Sequence, residues 1–136
     1  MMRLIRLRNF KCFKDVSIPL APLTLLTGAN GTGKSAVMQA LMLLRQSFNP
    51  ELELMLEGAL VSLGTAGDVL NEFSNENFIG IWLEEFVSKL HCPYWIFEVK
   101  SFEDDVVPCV SCQDPLPGMP LFSDGVVYLA AERVGP

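Results

Sequence analysis

Apolar and polar residues alternate close to the start of this chain. Within residues 4–8, Ile5 and Leu7 alternate with residues that are basic apart from Leu4. This period of two predicts a strand with one buried face and one basic face. A turn over residues 9–15 and an apolar-rich run over residues 16–20 predict an antiparallel partner strand.

The pattern then changes from strand to helix. Residues 23–27 form a short apolar run after an Ala-Pro break, which predicts a strand buried on both faces. Residues 33–48 carry apolar side chains on more than one helical face, which predicts a largely enclosed helix. The Asn-Pro pair at 49–50 ends that helix.

The remaining chain contains one weak helical pattern and several strand patterns. Residues 51–63 predict a second helix, and residues 63–70 predict a loop passing into a short turn or helix. Residues 78–86 and 94–102 predict an antiparallel pair of strands, and the acidic residues 103–105 predict a solvated turn.

The last third of the chain is rich in proline before it becomes apolar again. Four prolines between residues 108 and 125 predict a loop. Residues 125–132 predict a final buried strand.

Composition limits the class of protein. Half of the 136 residues are apolar, which is enough for one folded domain with a real core. The sequence has no uninterrupted apolar run of about 18 residues, so we expect no membrane span. Arginines interrupt the apolar residues of the N-terminus, which does not resemble a signal peptide, and we expect a cytoplasmic protein.

The charge of the chain is unevenly distributed. A net charge of −6 argues against broad nucleic-acid binding by the domain as a whole. Half of the ten basic residues lie in the first fourteen positions: Arg3, Arg6, Arg8, Lys11 and Lys14. They predict a solvated basic face of the first strands, with a nucleic-acid contact or a contact to nucleotide phosphates as alternatives.

Four cysteines offer a candidate metal site. They are Cys12, Cys92, Cys109 and Cys112. The spacing of Cys109 and Cys112 suits a metal, but His91 and Cys92 are adjacent and would point to opposite faces of a strand. Reduced thiols are therefore expected, and structural zinc is the alternative.

Residues 28–35 contain the strongest chemical motif. They match the G-x-x-x-x-G-K-[ST] pattern of a phosphate-binding P-loop and lie between the predicted strand and helix. The residues are Gly28, Ala29, Asn30, Gly31, Thr32, Gly33, Lys34 and Ser35. Their backbone N–H groups would cradle a β-phosphate, Lys34 would neutralise the β- and γ-phosphates, and Ser35 would ligate Mg²⁺.

Two stretches resemble the ABC-type ATPases of the RecF and structural-maintenance-of-chromosomes kind. They are Ile-Arg-Leu-Arg-Asn-Phe-Lys-Cys-Phe-Lys-Asp at residues 5–15 and Thr-Gly-Ala-Asn-Gly-Thr-Gly-Lys-Ser at residues 27–35. Residues 22–28, 39–47 and 128–136 are also similar to bacterial AAA-annotated ATPases and to the ATPase part of the overcoming-lysogenisation-defect nucleases.

This resemblance implies a fold, cofactors and partners. The implied fold is an α/β P-loop NTPase, in which residues 1–136 form an incomplete ABC-ATPase-like first lobe with an antiparallel β subdomain. It implies ATP and Mg²⁺, a second ATPase head or the missing C-terminal half as a partner, and a DNA-directed activity of the complete protein.

Further site residues follow from the same resemblance. Asn9 and Lys11 are candidates to approach the nucleotide, with a plain turn as the alternative, and Gln113 is a candidate Mg²⁺-sensing glutamine. The resemblance places the family's Walker B, signature and switch-histidine motifs downstream of this sequence, and residues 128–133 fit a Tyr-Leu-x-Ala-Glu-Arg strand of the family better than a Walker B. Glu132 as a Walker B or catalytic acid is the alternative, and Arg133 is either a phosphate or partner contact or a surface charge.

These observations predict Mg-ATP binding with little hydrolysis by this chain alone. One alternative is a standalone regulatory module that docks on another subunit. Another alternative is a small P-loop kinase that uses Glu132. A GTPase is not expected, because the chain lacks the Asn-Lys-x-Asp motif that reads the guanine base.

Overall fold

The computed structural model describes residues 2–28, 33–48, 53–85, 92–113 and 120–122. Six strands occur there: β1 (Met2–Phe10), β2 (Phe13–Pro19), β3 (Glu53–Met55), β4 (Phe78–Glu85), β5 (Tyr94–Glu98) and β6 (Val106–Gln113). Two α-helices, α1 (Lys34–Ser47) and α2 (Ala66–Val69), and a 3-10 turn at Pro120–Phe122 complete the described elements.

The six strands form one sheet in the order β2-β1-β4-β5-β6-β3, and each neighbouring pair is antiparallel. Ile5 and Leu7 of β1 are fully buried, opposite Leu83 and Ile81 of β4. The alternation in the sequence therefore placed β1, its hairpin partner β2 and the β4–β5 pair correctly. The predicted antiparallel strands are confirmed, although β5 ends at Glu98, earlier than expected. The described residues form a six-stranded antiparallel sheet with few helices, which does not confirm the predicted α/β ABC-like lobe.

Helix α1 is enclosed, as its apolar pattern predicts. Eight of its fourteen residues are buried: Ala36, Val37, Ala40, Leu41, Met42, Leu43, Leu44 and Ser47. The seven apolar residues among them belong to one hydrophobic cluster with the buried face of the sheet. Burial on this scale holds the start of α1 in a fixed position beside the β1–β2 hairpin.

The predicted short helix at residues 63–70 is also present, as α2. Thr65 and Asp68 form a capping box at its start, in which Asp68 accepts hydrogen bonds from the Thr65 backbone N–H and hydroxyl. The acidic residues 103–105 are exposed, as expected for a turn. The backbone carbonyls of Asp104 and Asp105 accept hydrogen bonds from Ala66 and Leu56.

The prediction of a helix over residues 51–63 is wrong for its described part, residues 53–63. Leu54 and Leu56 are buried whereas Met55 is exposed, so the actual period is two. The side chain of Gln46 supplies hydrogen bonds that a helix would have made internally: its Nε2 donates to the carbonyls of Met55 and Val61. Tertiary partners therefore override a weak local preference.

The prediction of a loop beginning at residue 108 is wrong for residues 108–113, which belong to β6. Pro108 is tolerated because it lies opposite Glu53, the first residue of the short strand β3. A bulge follows, since Phe97 pairs with Cys109 and Ile96 pairs with Ser111.

The prediction of a doubly buried strand over residues 23–27 is also wrong. These residues form no strand, and the side chains of Leu23 and Leu25 are 80% and 79% exposed. A strand needs neighbours that satisfy its backbone N–H and C=O groups. Within the described ranges no strand pairs with this segment, and the strand predicted at residues 125–132 lies outside them.

The basic face of β1 is paired with carboxylates of the surrounding residues. Three ion pairs are present: Arg3–Glu84, Arg6–Asp15 and Arg8–Glu76. Arg6 and Arg8 also lie over the rings of Trp82 and Phe78. These three arginines therefore have partners within the sheet and its loops, which favours a solvated structural face over a nucleic-acid contact.

The Arg6–Asp15 pair predicts a small dependence of stability on pH. Two hydrogen bonds from Arg6, of 3.0 and 2.8 Å, lower the pKa of Asp15, against a smaller opposing effect of burial. We expect Asp15→Asn to lower the free energy of unfolding by about 0.5 kcal/mol at neutral pH, because the pair is exposed.

The difference between wild type and Asp15→Asn should disappear in acid. A depressed carboxyl pKa stabilises the fold above the unfolded pKa of about 3.9, and this contribution is lost as pH falls through the folded value. Urea unfolding across this range measures it, with the exposed Glu103→Gln as the control. A difference that persists well below the folded pKa would contradict the assignment.

Candidate functional site

A cavity of about 400 Å³ lies between the β1–β2 turn and the start of helix α1. Its lining residues come from these two elements: Lys11, Cys12, Gly33, Lys34, Ser35, Ala36 and Gln39. The β1–β2 turn therefore meets the described end of the P-loop motif. Residues 29–32 of the motif lie outside the described residues.

Gly33 allows the turn and the helix to meet. Its φ of 98° is in the left-handed region, and a Cβ on this residue would clash with the Phe13 ring and lie 2.7 Å from the Sγ of Cys12. Any larger residue would have to displace the Phe13 and Cys12 side chains and would also adopt a strained φ. The glycine of the motif is thus also favoured by this packing.

The start of α1 suits an anion. Gly33 makes no side-chain cap, and the first turn contains no acidic residue, so the positive end of the helix dipole is not neutralised there. The Nζ of Lys34 donates a 2.5 Å hydrogen bond to the carbonyl of Gly28, which links the two described ends of the loop. Ser35 is exposed beside it and lines the cavity.

Lys11 is a second cation of this cavity. Burial lowers the pKa of Lys11, while the charges of Asp68 and Cys12 act in the opposite direction. A phosphate in the cavity would stabilise its charged form. The structure thus places Lys11, Lys34 and Ser35 around one cavity.

The backbone of Lys11 is held in an unusual conformation. Its φ is 51°, and its N–H donates to the carbonyl of Val69 at 2.6 Å. Its carbonyl accepts from the Nδ2 of Asn71 at 2.7 Å. Asn71 is 3% exposed, and the sequence analysis missed it because a single asparagine in a loop follows no recognisable pattern.

Asn9 lies beneath this turn and does not line the cavity. It is 1% exposed, has a φ of 58°, and its Nδ2 donates to the carbonyl of Phe78 at 3.0 Å. Its own carbonyl accepts from the backbone N–H of Asn71. Asn9 therefore supports the turn that carries Lys11, and its side chain is already used within the sheet.

The remaining candidate residues are Gln113, Glu132 and Arg133. Gln113 pairs with Tyr94 at the end of β6 and is not among the residues that line the cavity. Glu132 and Arg133 lie outside the described residues.

The bulge in β6 places Cys109 and Cys112 against the hydrophobic core. Burial, and then the neighbouring Cys112, raise the pKa of the Cys109 thiol. Among the residues that the structure describes, no three histidine, cysteine, aspartate or glutamate side chains form a metal-binding group. His91 lies outside these residues.

Comparison with known proteins identifies the family of this chain. The AAA ATPase domain family matches residues 1–104, and the chain belongs to that family. The chain is also similar to an OLD nuclease of Thermus scotoductus, with 36% identity over 52 residues, or 38% of this chain. The match spans only 10% of that nuclease, and no solved structure matches significantly.

Family membership defines the class: the domain is a P-loop NTPase, a class of protein that binds nucleotides. It also confirms the resemblance to the ATPase part of the overcoming-lysogenisation-defect proteins. In the part of the chain that the structure describes, no helix is long and apolar enough to cross a membrane.

Proposed function

We propose that this chain binds Mg-ATP through residues 28–35, as the first lobe of an ABC/RecF-like ATPase. One observation carries the proposal: Lys11, Lys34 and Ser35 line a single cavity at the uncapped start of α1. Two cations, a hydroxyl and a positive helix end are what a polyphosphate with its metal requires. The cavity walls are polar and cationic where the phosphates would lie.

Each residue has a distinct role in this proposal. Lys34 would leave the Gly28 carbonyl and neutralise the β- and γ-phosphates, and the amides of residues 28–33 would cradle the β-phosphate. Lys11 would contact phosphate from the opposite wall of the cavity. The hydroxyl of Ser35 would hold Mg²⁺, which when bound neutralises phosphate charge.

The residues of this cavity suit ATP binding better than ATP hydrolysis. Lys34 and Lys11 would stabilise negative charge on the phosphates, but neither can activate a water molecule while it is protonated. The signature motif that completes such a site is not in this sequence and Glu132 is only the alternative base, so we expect little hydrolysis by this chain alone. A kinase that uses Glu132 is the alternative, and transfer of phosphate to an added acceptor would favour it.

The exposure of Leu23 and Leu25 supports the proposal that a second part completes the fold. Large apolar side chains exposed next to a functional loop commonly mark an interaction surface. We propose that the covering part is a second ATPase head or a C-terminal half that supplies Walker B and signature motifs. The similarity to an OLD nuclease supports a DNA-directed activity of the complete cytoplasmic protein.

The metal dependence of ATP binding tests this function. We expect wild type to bind ATP about tenfold more tightly with Mg²⁺ than with EDTA, and Ser35→Ala to lose most of that difference. Isothermal titration calorimetry measures both, with Ser17→Ala as the control because Ser17 is exposed on β2. If wild type bound no ATP, the proposed function would be wrong.

A further inference from the structure

A second cavity, of about 500 Å³, opens on the other side of the β1–β2 turn. Lys11 and Cys12 line both this cavity and the proposed phosphate cavity. The two cavities therefore meet at one two-residue turn. Asp68, Glu72 and Phe73 line the far part of the second cavity.

Phe73 is an aromatic ring with little cover. It is 75% exposed, although its backbone is held in place by a 3.0 Å hydrogen bond from its N–H to the Oδ1 of Asn71. The same Asn71 side chain holds the carbonyl of Lys11. The position of Phe73 relative to the phosphate cavity is thus set by one buried asparagine, which bonds to both sides of the groove.

The polar groups around Phe73 are mostly hydrogen-bond acceptors. The carboxylate of Asp68 is oriented by the N–H and hydroxyl of Thr65, at 2.9 and 3.1 Å, and Glu72 is exposed beside it. Carboxylates accept hydrogen bonds from sugar hydroxyls and exocyclic amino groups. A flat apolar ring beside such acceptors suits a nucleoside, whereas acceptors of this charge would repel further phosphates.

We infer that this second cavity is the nucleoside subsite of the nucleotide whose phosphates occupy the first cavity, with its base stacked on Phe73. The inference rests on the proposed function and extends it, since it assigns recognition of the base and sugar to residues outside the P-loop motif. The β1–β2 turn then separates the two halves of one ligand. Phe73 is a binding residue, and Asn71 is a positioning residue.

Comparison of ATP with inorganic tripolyphosphate tests the subsite. Wild type should bind ATP more tightly than tripolyphosphate. We expect Phe73→Ala to weaken ATP binding about tenfold and to leave tripolyphosphate binding unchanged, because stacking on a base is lost but the phosphate cavity is intact. Val110→Ala, at another exposed apolar position, should change neither affinity.

A second variant reports on the same contact directly. Phe73→Trp should retain ATP binding, and its added tryptophan fluorescence should change with ATP but not with tripolyphosphate, relative to wild type. Equal affinities of Phe73→Ala and wild type for ATP would overturn the subsite, as would a fluorescence response to tripolyphosphate alone.

The failure of each proposal gives a different result. If wild type binds tripolyphosphate and ATP equally, the phosphate site stands and the nucleoside subsite is wrong. If wild type binds neither compound, both proposals are wrong. If Phe73→Ala binds ATP normally but alters association with another protein, Phe73 belongs to a docking surface and the subsite is overturned.

Discussion

Replacing Lys34 with alanine should lower the affinity of this domain for Mg-ATP by about 10- to 100-fold. Lys34 lines the proposed phosphate cavity, where the charge of a bound triphosphate would be concentrated. Hydrogen bonds from a charged donor to phosphate are stronger than those between neutral groups. Lys11 alone would not replace the bonds that Lys34 makes. Titration calorimetry or a fluorescent ATP analogue measures the loss.

This experiment has a matched control in Lys14→Ala. Lys14 is an exposed lysine on β2 and does not line the cavity, so its removal changes net charge equally without changing the site. Both variants should unfold within about 0.5 kcal/mol of wild type, since each lysine is near the surface. A Lys34→Ala protein that bound ATP as tightly as Lys14→Ala would contradict the proposed function.

Replacing Asn71 with alanine should lower the free energy of unfolding by about 2–4 kcal/mol, the largest effect on stability that we expect from one polar residue. The Asn71 side chain is nearly fully buried and makes two hydrogen bonds, to Lys11 and Phe73. Its removal leaves a carbonyl and an N–H without their partner, and it frees a turn whose Lys11 has a positive φ.

Urea or thermal unfolding measures this loss. Asn75→Ala is the control, because Asn75 is exposed in the same connection between α2 and β4. ATP affinity of the folded Asn71→Ala protein should also fall, since Lys11 would no longer be held at the cavity wall. An Asn71→Ala protein as stable as Asn75→Ala would show that the turn is maintained by other contacts.

The parts of the fold that the sequence predicted well are those with a strong local pattern. Ile5 and Leu7 alternate clearly enough to specify β1, and the apolar surface of α1 specifies an enclosed helix. The errors occur where distant residues supply the hydrogen bonds. Gln46 stabilises residues 53–63 in a non-helical form, and β5 and β3 draw Pro108 and its neighbours into β6.

The sequence by itself predicts the chemistry of the loop at residues 28–35, because glycine spacing, a lysine and a serine are local requirements for holding phosphate. Only the tertiary structure decided what surrounds that loop. It places Lys11 on the cavity wall and buries Asn9 and Asn71 beneath the turn. Hydrogen bonds between residues about 60 positions apart set this arrangement, and a local pattern cannot encode them.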